Sequence, residues 1–245
     1  SQMIKKITNI SKIVSWDDIS NNLIINDKPN LEIVIENNEI IEIGQNLNNY
    51  KIEKTFNAKN GLVTPGFIDC HTHPIFTGNR SSEFELRIKG KSYQDIANQG
   101  GGIKFSIKML REASKEQIFN ESLPRIKSFL KKGTTTIEAK SGYGLTVKDE
   151  IKSLEVIKML NDYSELNIIP TFMGAHDFPE EYSHNKDDYV DMICDKMIPE
   201  ISEKKLAKFC DVFCEKKYFT VDQSRKILNS GICHGLFPRL HADEF

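Results

Sequence analysis

One segment indicates the architecture of the chain most clearly, and its sequence is Gly61-Leu-Val-Thr-Pro-Gly-Phe-Ile-Asp-Cys-His-Thr-His73. It is an apolar run typical of a buried parallel strand, and it ends in a His-x-His tripeptide. Residues two apart on a strand point to the same side, so His71 and His73 are placed to bind one metal ion together. In a barrel of parallel strands, catalytic groups gather at such strand ends. We therefore predict a metal centre here.

A third candidate ligand lies near the other end of the chain. His241 follows the apolar run Gly235-Leu-Phe-Pro-Arg-Leu240, and three imidazoles suit zinc or ferrous iron, often with a carboxylate to complete the site. Glu244, three residues further on, is either a proton donor or substrate anchor or a solvated loop acid. Cys70 is expected to point away from the metal, because alternate strand residues face opposite sides.

The composition is that of an ordinary globular protein. The chain has 245 residues, of which 39% are hydrophobic and 28% charged, with a formal net charge of -2. This balance gives no reason to expect a nucleic-acid partner, and no apolar stretch reaches the ~20 residues of a membrane span. The five cysteines are odd in number and scattered. We therefore expect reduced thiols and a cytoplasmic location without a signal peptide.

Residues 1–60 predict a small β domain of the β-sandwich-like kind. Two strand-like runs, Leu31–Glu36 and Glu39–Ile43, flank Asn37-Asn38. Asn-Asn between apolar runs favours a tight hairpin turn. No helical period is present in this part of the sequence, so we expect an antiparallel sheet.

Residues 61–245 predict an α/β fold with a parallel sheet, because buried strand patterns alternate with amphipathic helices. One helix is expected to begin with a capping box at Ser114 and Gln117 and to end at Gly133. Another apolar helical stripe contains Tyr189, Ile193, Met197 and Ile201. The strand-like runs are 62–69, 134–139, 167–172, 209–214 and 236–241.

The expected barrel is incomplete. A TIM-like (β/α) barrel of eight units needs about 250 residues, or roughly 30 per unit. Removing the first 60 residues leaves 185, which is enough for about six units at that size. We expect a partial barrel over 61–245 that lacks its last strands.

Further polar residues follow the predicted strands. Arg80 could hold a carboxylate bidentately, or be an ordinary surface arginine. Tyr143 lies on a glycine-flanked turn after the run 134–139, and His176 follows the run 167–172. A lone histidine is more often structural, but successive strand ends share one face of a barrel. We predict Tyr143 and His176 in the same site.

These residues resemble a known family. The segment Val63-Thr-Pro-Gly-Phe-Ile-Asp-Cys-His-Thr-His73 resembles the first-strand signature of the metal-dependent amidohydrolases. A further series resembles the imidazolonepropionase family within them, over about residue 30 to the last residue. That series comprises Phe76-Thr-Gly-Asn-Arg80, Glu83-Phe-Glu-Leu-Arg87, Gly100-Gly-Gly-Ile103, Lys140-Ser-Gly-Tyr-Gly144, Thr171-Phe-Met-Gly-Ala-His176, Asp211-Val-Phe-Cys-Glu215 and His241-Ala-Asp-Glu244.

The resemblance implies hydrolysis of 4-imidazolone-5-propanoate to N-formimidoyl-L-glutamate in histidine degradation. It implies one Zn or Fe ion on His71, His73 and His241, and a homodimer. Arg80 would bind the propionate carboxylate. Glu244 would bind the imidazolone ring nitrogen and help to activate the water, and Tyr143 and His176 would contact the substrate.

The sequence also departs from the family pattern. The family has a further histidine on the next strand and a metal-binding aspartate on the eighth, and neither is present. We therefore expect the chain by itself to bind metal weakly and to be inactive or weakly active. Two alternatives stay open: another cyclic-amidine or nucleobase hydrolase such as a deaminase, or a non-catalytic metal-binding fragment.

Overall fold

The computed structural model describes residues 3–79, 88, 90 and 101–243. Two residues with predicted roles, Arg80 and Glu244, lie outside the described residues. The chain divides into two compact units, Ser1–Gly66 and Phe67–Phe245. Within the described part, none of the helices has the length and apolar character needed to cross a membrane.

The first unit is a five-stranded sheet. Four strands pair antiparallel in the order β2-β1-β3-β4, and β5 pairs parallel to β1. A small core forms on one face from Ile10, Ile13, Leu31 and Ile33, all at most 6% exposed. The strands are β1 (Ile4–Asp17), β2 (Asn22–Asn26), β3 (Leu31–Glu36), β4 (Glu39–Gln45) and β5 (Lys54–Val63).

The turn between β3 and β4 has the form expected from its sequence. Asn37 and Asn38 both have left-handed backbones, with φ of 49° and 69°. Two such residues form the two-residue turn whose twist matches that of the flanking strands, and Asn tolerates this conformation better than most residues. The turn brings Glu36 opposite Glu39.

The second unit is an α/β fold, and five parallel strands form its sheet in the residues that the structure describes. The strands lie side by side in chain order, and every neighbouring pair is parallel. They are β6 (Phe67–Thr72), β7 (Thr134–Lys140), β8 (Asn167–Ala175), β9 (Phe209–Phe213) and β10 (Phe237–His241). The α-helices in the described residues are α1 (Ile103–Glu112), α2 (Lys115–Lys131), α3 (Val147–Tyr163), α4 (Lys186–Met192), α5 (Ile198–Glu203) and α6 (Val221–Cys233).

One strand boundary differs from the prediction. The run 62–69 was expected to form a single strand, but β5 ends at Val63 and β6 begins at Phe67. Pro65 between them lacks an N–H group, so it cannot donate to the hydrogen-bond ladder of a sheet. The apolar run therefore contributes to the sheets of both units.

Two helix details also differ. The hydroxyl of Ser114 accepts the backbone N–H of Gln117 at 3.1 Å, but the Gln117 side chain donates to Glu121, so half of the expected capping box forms. The complete box lies at the start of α6, between Thr220 and Gln223. The stripe 189–201 is buried as expected, but a π-helical turn over Ile193–Met197 separates α4 from α5.

The parallel order places the site. The carboxyl ends of parallel strands lie at one edge of a sheet. His73, Tyr143 and His176 follow β6, β7 and β8, and His241 is the last residue of β10. These four residues therefore lie at the same edge of the sheet. Beneath them the helices pack on the sheet around a core that includes Ile118, Ile126, Leu154, Ile157 and Phe172.

Candidate metal centre

Three imidazoles from the first and last strands of the second unit converge. Nε2 of His71 lies 2.8 Å from Nε2 of His241 and 3.3 Å from Nε2 of His73. Potential ligand atoms of the three residues all lie within 4.8 Å of one another. His71 and His73 share one side of β6 because they are two residues apart.

This arrangement fits a cation. Nitrogen ligands about 2.05 Å from zinc lie roughly 2.9–3.4 Å apart for angles between 90° and the tetrahedral value. The Nε2 separations of 2.8 Å and 3.3 Å from His71 to His241 and His73 agree with that spacing. Two bare nitrogens so close repel each other unless a proton or a cation lies between them. The donor set of three imidazoles is one that zinc and iron accept.

The surroundings keep the imidazoles neutral, which a metal ligand requires. Burial lowers the pKa of His73 to about 3, and the neighbouring His176 and His71 add to the effect. Burial, followed by the charge of His241, also lowers the pKa of His71. At neutral pH the nitrogen lone pairs of these two rings are therefore available.

Asp211 on β9 holds the third imidazole. Its Oδ1 lies 3.1 Å from Nδ1 of His241. Burial acts to raise the pKa of Asp211, but the hydrogen bond with His241 and the charge of Lys140 lower it overall. An ionised carboxylate only accepts, so a neutral His241 carries its proton on Nδ1 and leaves Nε2 bare. This is the usual way in which a carboxylate orients a metal-binding histidine.

A buried charge cluster lies below the histidines. Lys140 Nζ contacts Glu138 Oε2 at 2.5 Å and Asp211 Oδ2 at 2.6 Å, and all three residues are at most 3% exposed. The hydroxyl of Thr171 donates to Glu138 at 2.7 Å, and Arg239 Nη1 lies 3.6 Å from the same carboxylate. One lysine thus compensates two buried carboxylates, with the arginine nearby.

His176 packs against the histidine cluster as a neutral ring. It stacks on His73 with ring centroids 5.0 Å apart and an interplanar angle of 20°. Burial lowers the pKa of His176 to about 4. Nδ1 lies 2.8 Å from the carbonyl oxygen of Gly142, and a carbonyl accepts only, so Nδ1 carries the proton. Nε2 is then the unprotonated nitrogen, an acceptor at neutral pH.

Tyr143 lies on the same side. Its ring centroid is 5.2 Å from that of His176 and 6.1 Å from that of His73. Tyr143 and His176 thus lie together at this edge of the sheet, as predicted from the sequence, and both are next to the histidine cluster. Arg80 and Glu244 lie outside the described residues, so their predicted roles stay predictions.

Other candidates lie elsewhere. Cys70 is exposed and is not part of the histidine cluster; its carbonyl accepts from Arg239 at 2.9 Å. All five cysteines are free thiols. His184 and His234, to which no role was assigned, are exposed residues of a turn and of the end of α6.

Sequence reasoning missed the supporting carboxylates. It assigned no role to Asp211, Glu138 or Glu150, although each carried a signal. Glu138 and Asp211 are acids inside runs that read as buried strands, and Glu150 lies on the apolar stripe of α3. A charge at a position patterned for burial indicates a paired or hydrogen-bonded group.

The comparisons with known proteins point in one direction. The chain is 52% identical over 187 residues to the imidazolonepropionase of Brevibacillus brevis, covering 76% of this chain and 44% of that protein. It is 45% identical over 222 residues to the imidazolonepropionase of Geobacillus kaustophilus, covering 88% and 52%. The chain thus spans about half the length of the curated relatives it matches. No family model matches the chain.

Solved structures support the fold alone. The 5-methylcytosine deaminase of Klebsiella pneumoniae, liganded with phosphonocytosine, matches with a TM-score of 0.66 at 13% identity, covering 98% of this chain and 52% of that one. A prolidase complexed with n-methylphosphonate-l-proline matches with a TM-score of 0.60 at 13% identity, covering 98% and 56%. The α/β unit is therefore of the amidohydrolase fold.

Proposed function

The chain is a homologue of the imidazolonepropionases over most of its length, and on that premise we propose that it carries the metal centre of an enzyme hydrolysing 4-imidazolone-5-propanoate to N-formimidoyl-L-glutamate. The observation that carries this proposal is the convergence of three Nε2 atoms from β6, its end and β10. Neither the identity of the relatives nor the fold by itself would place chemistry at these residues.

His71, His73 and His241 hold one ion, Zn or Fe. When bound, such an ion supplies a water acidified enough to attack a carbon centre at neutral pH. Asp211 holds His241 with its bare nitrogen towards the ion site. Lys140 keeps Asp211 in place and compensates its charge.

The substrate side is built by Tyr143 and His176. The bare Nε2 of His176 accepts a hydrogen bond from a ring N–H of the imidazolone, and the Tyr143 hydroxyl donates to a polar atom of the substrate. Arg80 binds the propionate carboxylate through a bidentate pair, which is the interaction that an arginine fork makes best. Glu244 binds a ring nitrogen and moves protons to and from the water.

The proposed architecture is an incomplete TIM-like barrel over residues 61–245 with a small β-sandwich-like domain over 1–60. In the described residues, β6 and β10 each pair on one side only. Both edges can accept further parallel strands, which would also bring additional ligands. The chain by itself is therefore proposed to be weakly active or inactive. A cytoplasmic homodimer is the proposed state.

The test compares the chain with a chimera. The chimera appends the C-terminal region of the Geobacillus kaustophilus relative after the matched segment. Both are loaded with zinc, and loss of 4-imidazolone-5-propanoate is followed by absorbance. We expect the chimera to hydrolyse it and its His71→Ala variant to lose both the ion and the activity.

The outcome also decides between the alternatives. A chimera that binds zinc but leaves imidazolonepropanoate intact would refute the proposal. Deamination of cytosine derivatives instead would favour a nucleobase deaminase, and zinc binding with neither activity would favour a non-catalytic metal-binding protein. An Arg80→Ala variant should raise KM for the carboxylate-bearing substrate more than it lowers kcat.

A further inference from the structure

The side chain of Glu150, which is not one of the cluster histidines, binds the backbone of the loop 141–145. Glu150, in the first turn of α3, is fully buried. Its Oε1 accepts three backbone N–H groups, from Gly142 at 3.1 Å, Gly144 at 2.9 Å and Leu145 at 3.0 Å. Successive N–H groups that converge in this way form an anion cradle. Here the anion is a side chain of the protein itself.

The helix does not need Glu150 for its cap. The hydroxyl of Thr146 accepts the N–H of Asp149 at 3.0 Å and donates to the Asp149 carboxylate at 2.7 Å. The start of α3 is therefore already capped by Thr146. All three N–H groups bound by Glu150 belong to the loop that precedes the helix. Its carboxylate acts on the loop and not on the helix end.

The loop adopts a backbone that few sequences would choose. Gly142 has φ of +111°, and Leu145, a residue with a branched side chain, has φ of +54°. A Cβ on Gly144 would lie 2.5 Å from the Asp149 carbonyl carbon, so only glycine fits there. Conformations of this kind persist only where the surroundings enforce them.

The guanidinium group of Arg111 also binds this loop, through two carbonyl groups. Arg111 of α1 donates to the carbonyl of Gly144 at 2.7 Å and to that of Leu145 at 3.4 Å. Glu181 pairs with the same guanidinium at 2.8 Å. Three N–H groups of the loop thus donate to Glu150, and two of its carbonyl groups accept from Arg111. The carbonyl of Gly142 instead makes a hydrogen bond with His176.

That carbonyl connects the loop to the site. It accepts Nδ1–H of His176 at 2.8 Å, which sets the tautomer of that ring. Tyr143 lies between the two glycines bound by Glu150, so its ring position follows the same backbone. A Cβ on Gly142 would lie 2.9 Å from Nδ1 of His176, so the contact between loop and ring is close.

We propose that Glu150 is a positioning residue that fixes the His176 tautomer and the place of Tyr143 through the loop 141–145. The inference rests on the proposed function, because it assigns these two rings to the substrate. The acceptor at Nε2 of His176 exists because Gly142 holds the proton on Nδ1. Burial raises the pKa of Glu150, while a hydrogen bond with the Ser141 side chain and then the three backbone N–H groups oppose that effect.

The experiment uses the whole chain and three substitutions of Glu150. Glu150→Ala removes the acceptor, Glu150→Asp retracts it by one methylene, and Glu150→Gln keeps a carbonyl oxygen in its place. Glu155→Ala is the matched control, since Glu155 lies on the same helix and pairs with Lys115 at the surface. The readouts are ¹⁵N spectra of His176, amide exchange of the loop, zinc affinity, and affinity for the stable probe 3-(imidazol-4-yl)propanoate.

Glu150→Ala should let His176 populate both tautomers, speed amide exchange at Gly142, Gly144 and Leu145, and weaken probe binding about tenfold, as expected for a lost buried acceptor. Its zinc affinity should stay within about threefold, since the three N–H groups that Glu150 accepts belong to Gly142, Gly144 and Leu145 and not to a metal-binding histidine. Glu150→Gln should restore probe binding to within about threefold. Glu155→Ala should resemble the unchanged chain.

Three results would overturn the inference. One is a folded Glu150→Ala chain with an unchanged His176 tautomer. Another is a parallel loss of zinc and probe affinity, which indicates a general structural role. A third is a Glu150→Gln chain as impaired as Glu150→Ala. If the alanine variant does not fold, Glu150→Asp decides by the tautomer and exchange readouts. A probe that fails to bind the unchanged chain counts against the proposed function, while those two readouts still test Glu150.

Discussion

His241 and Asp211 lie on neighbouring parallel strands with Nδ1 of the imidazole 3.1 Å from Oδ1 of the carboxylate. The pair connects the histidine cluster to the buried charges of Lys140 and Glu138. A ligand orientation and a charge balance in the sheet interior thus depend on one carboxylate.

Replacing Asp211 should weaken metal binding. In Asp211→Ala, His241 loses the acceptor that fixes its proton on Nδ1, and the zinc affinity should fall about 10–100-fold. A zinc titration against a competing chelator measures the change. Asp162→Ala removes an exposed carboxylate that pairs with Lys158 and serves as the control. Equal zinc affinity in the Asp211→Ala chain and the control would contradict the assigned role.

Replacing Lys140 should unfold the chain more easily. Lys140→Met leaves the carboxylates of Glu138 and Asp211 buried without their partner, which should lower the free energy of unfolding by about 3–5 kcal/mol. Urea unfolding measures it. Lys158→Met breaks an exposed pair and should cost less than about 1 kcal/mol. Similar losses in the two variants would show that the buried cluster is not compensated as described.

The metal-free chain should lose stability in mild acid. Burial holds the pKa of His73 at about 3 and that of His176 at about 4, whereas an imidazole in the unfolded chain titrates near ~6.5. The unfolded chain therefore binds more protons between these values. The free energy of unfolding should fall below about pH 6.5, by up to about 1.4 kcal/mol per pH unit for each histidine.

Unfolding in urea at about pH 7 and about pH 5 measures this slope. His176→Asn should reduce the slope of the unfolding free energy against pH by the equivalent of up to one proton taken up on unfolding. His184→Asn, which replaces an exposed histidine outside the cluster, should leave the slope unchanged. Each contribution ends once the pH falls below the folded-state pKa of the group. A stability independent of pH over this range would show that the imidazoles are not held neutral by the fold.

The backbone at Gly142 should tolerate no side chain. Gly142→Ala meets both an unfavourable φ of +111° and contacts of 2.9 Å to His176 Nδ1 and the Met173 carbonyl. Gly235→Ala has φ of +80° with nothing within 4 Å, so it isolates the backbone cost of about 1 kcal/mol. Gly142→Ala should cost about 1–3 kcal/mol more. Equal costs in urea unfolding would place the loop away from His176.

Strand ends were the part of the site that the sequence could predict. Period and spacing placed His71, His73, Tyr143, His176 and His241 at or just after strand ends, and the shared edge of a parallel sheet then favours their being close. The alternation of strands and helices predicted the α/β fold for the same reason. Pro65 marks the point where the apolar run breaks, although the apolar pattern alone predicts one strand.

The supporting contacts could not be predicted in this way. Lys140 meets Asp211 across 71 residues of sequence, and the partner of a buried charge depends on the register of strands that are distant along the chain. The cradle around Glu150 depends on the backbone conformation at Gly142 and Leu145, and no residue type specifies it by itself. Such contacts are set by tertiary packing, which local pattern does not encode.

The two histidines in closest contact, His71 and His241, are 170 residues apart in sequence. An ion shared by them ties the opening strand of the parallel sheet to its closing strand, and so cross-links almost the whole second unit. Within the described residues, β10 is an edge strand whose backbone pairs with β9 alone, so without the ion we expect it to be the first strand of the sheet to separate. Loading with zinc should then slow amide hydrogen exchange in β10 more than in the other strands. The cation would in that case stabilise the fold in addition to its part in the chemistry.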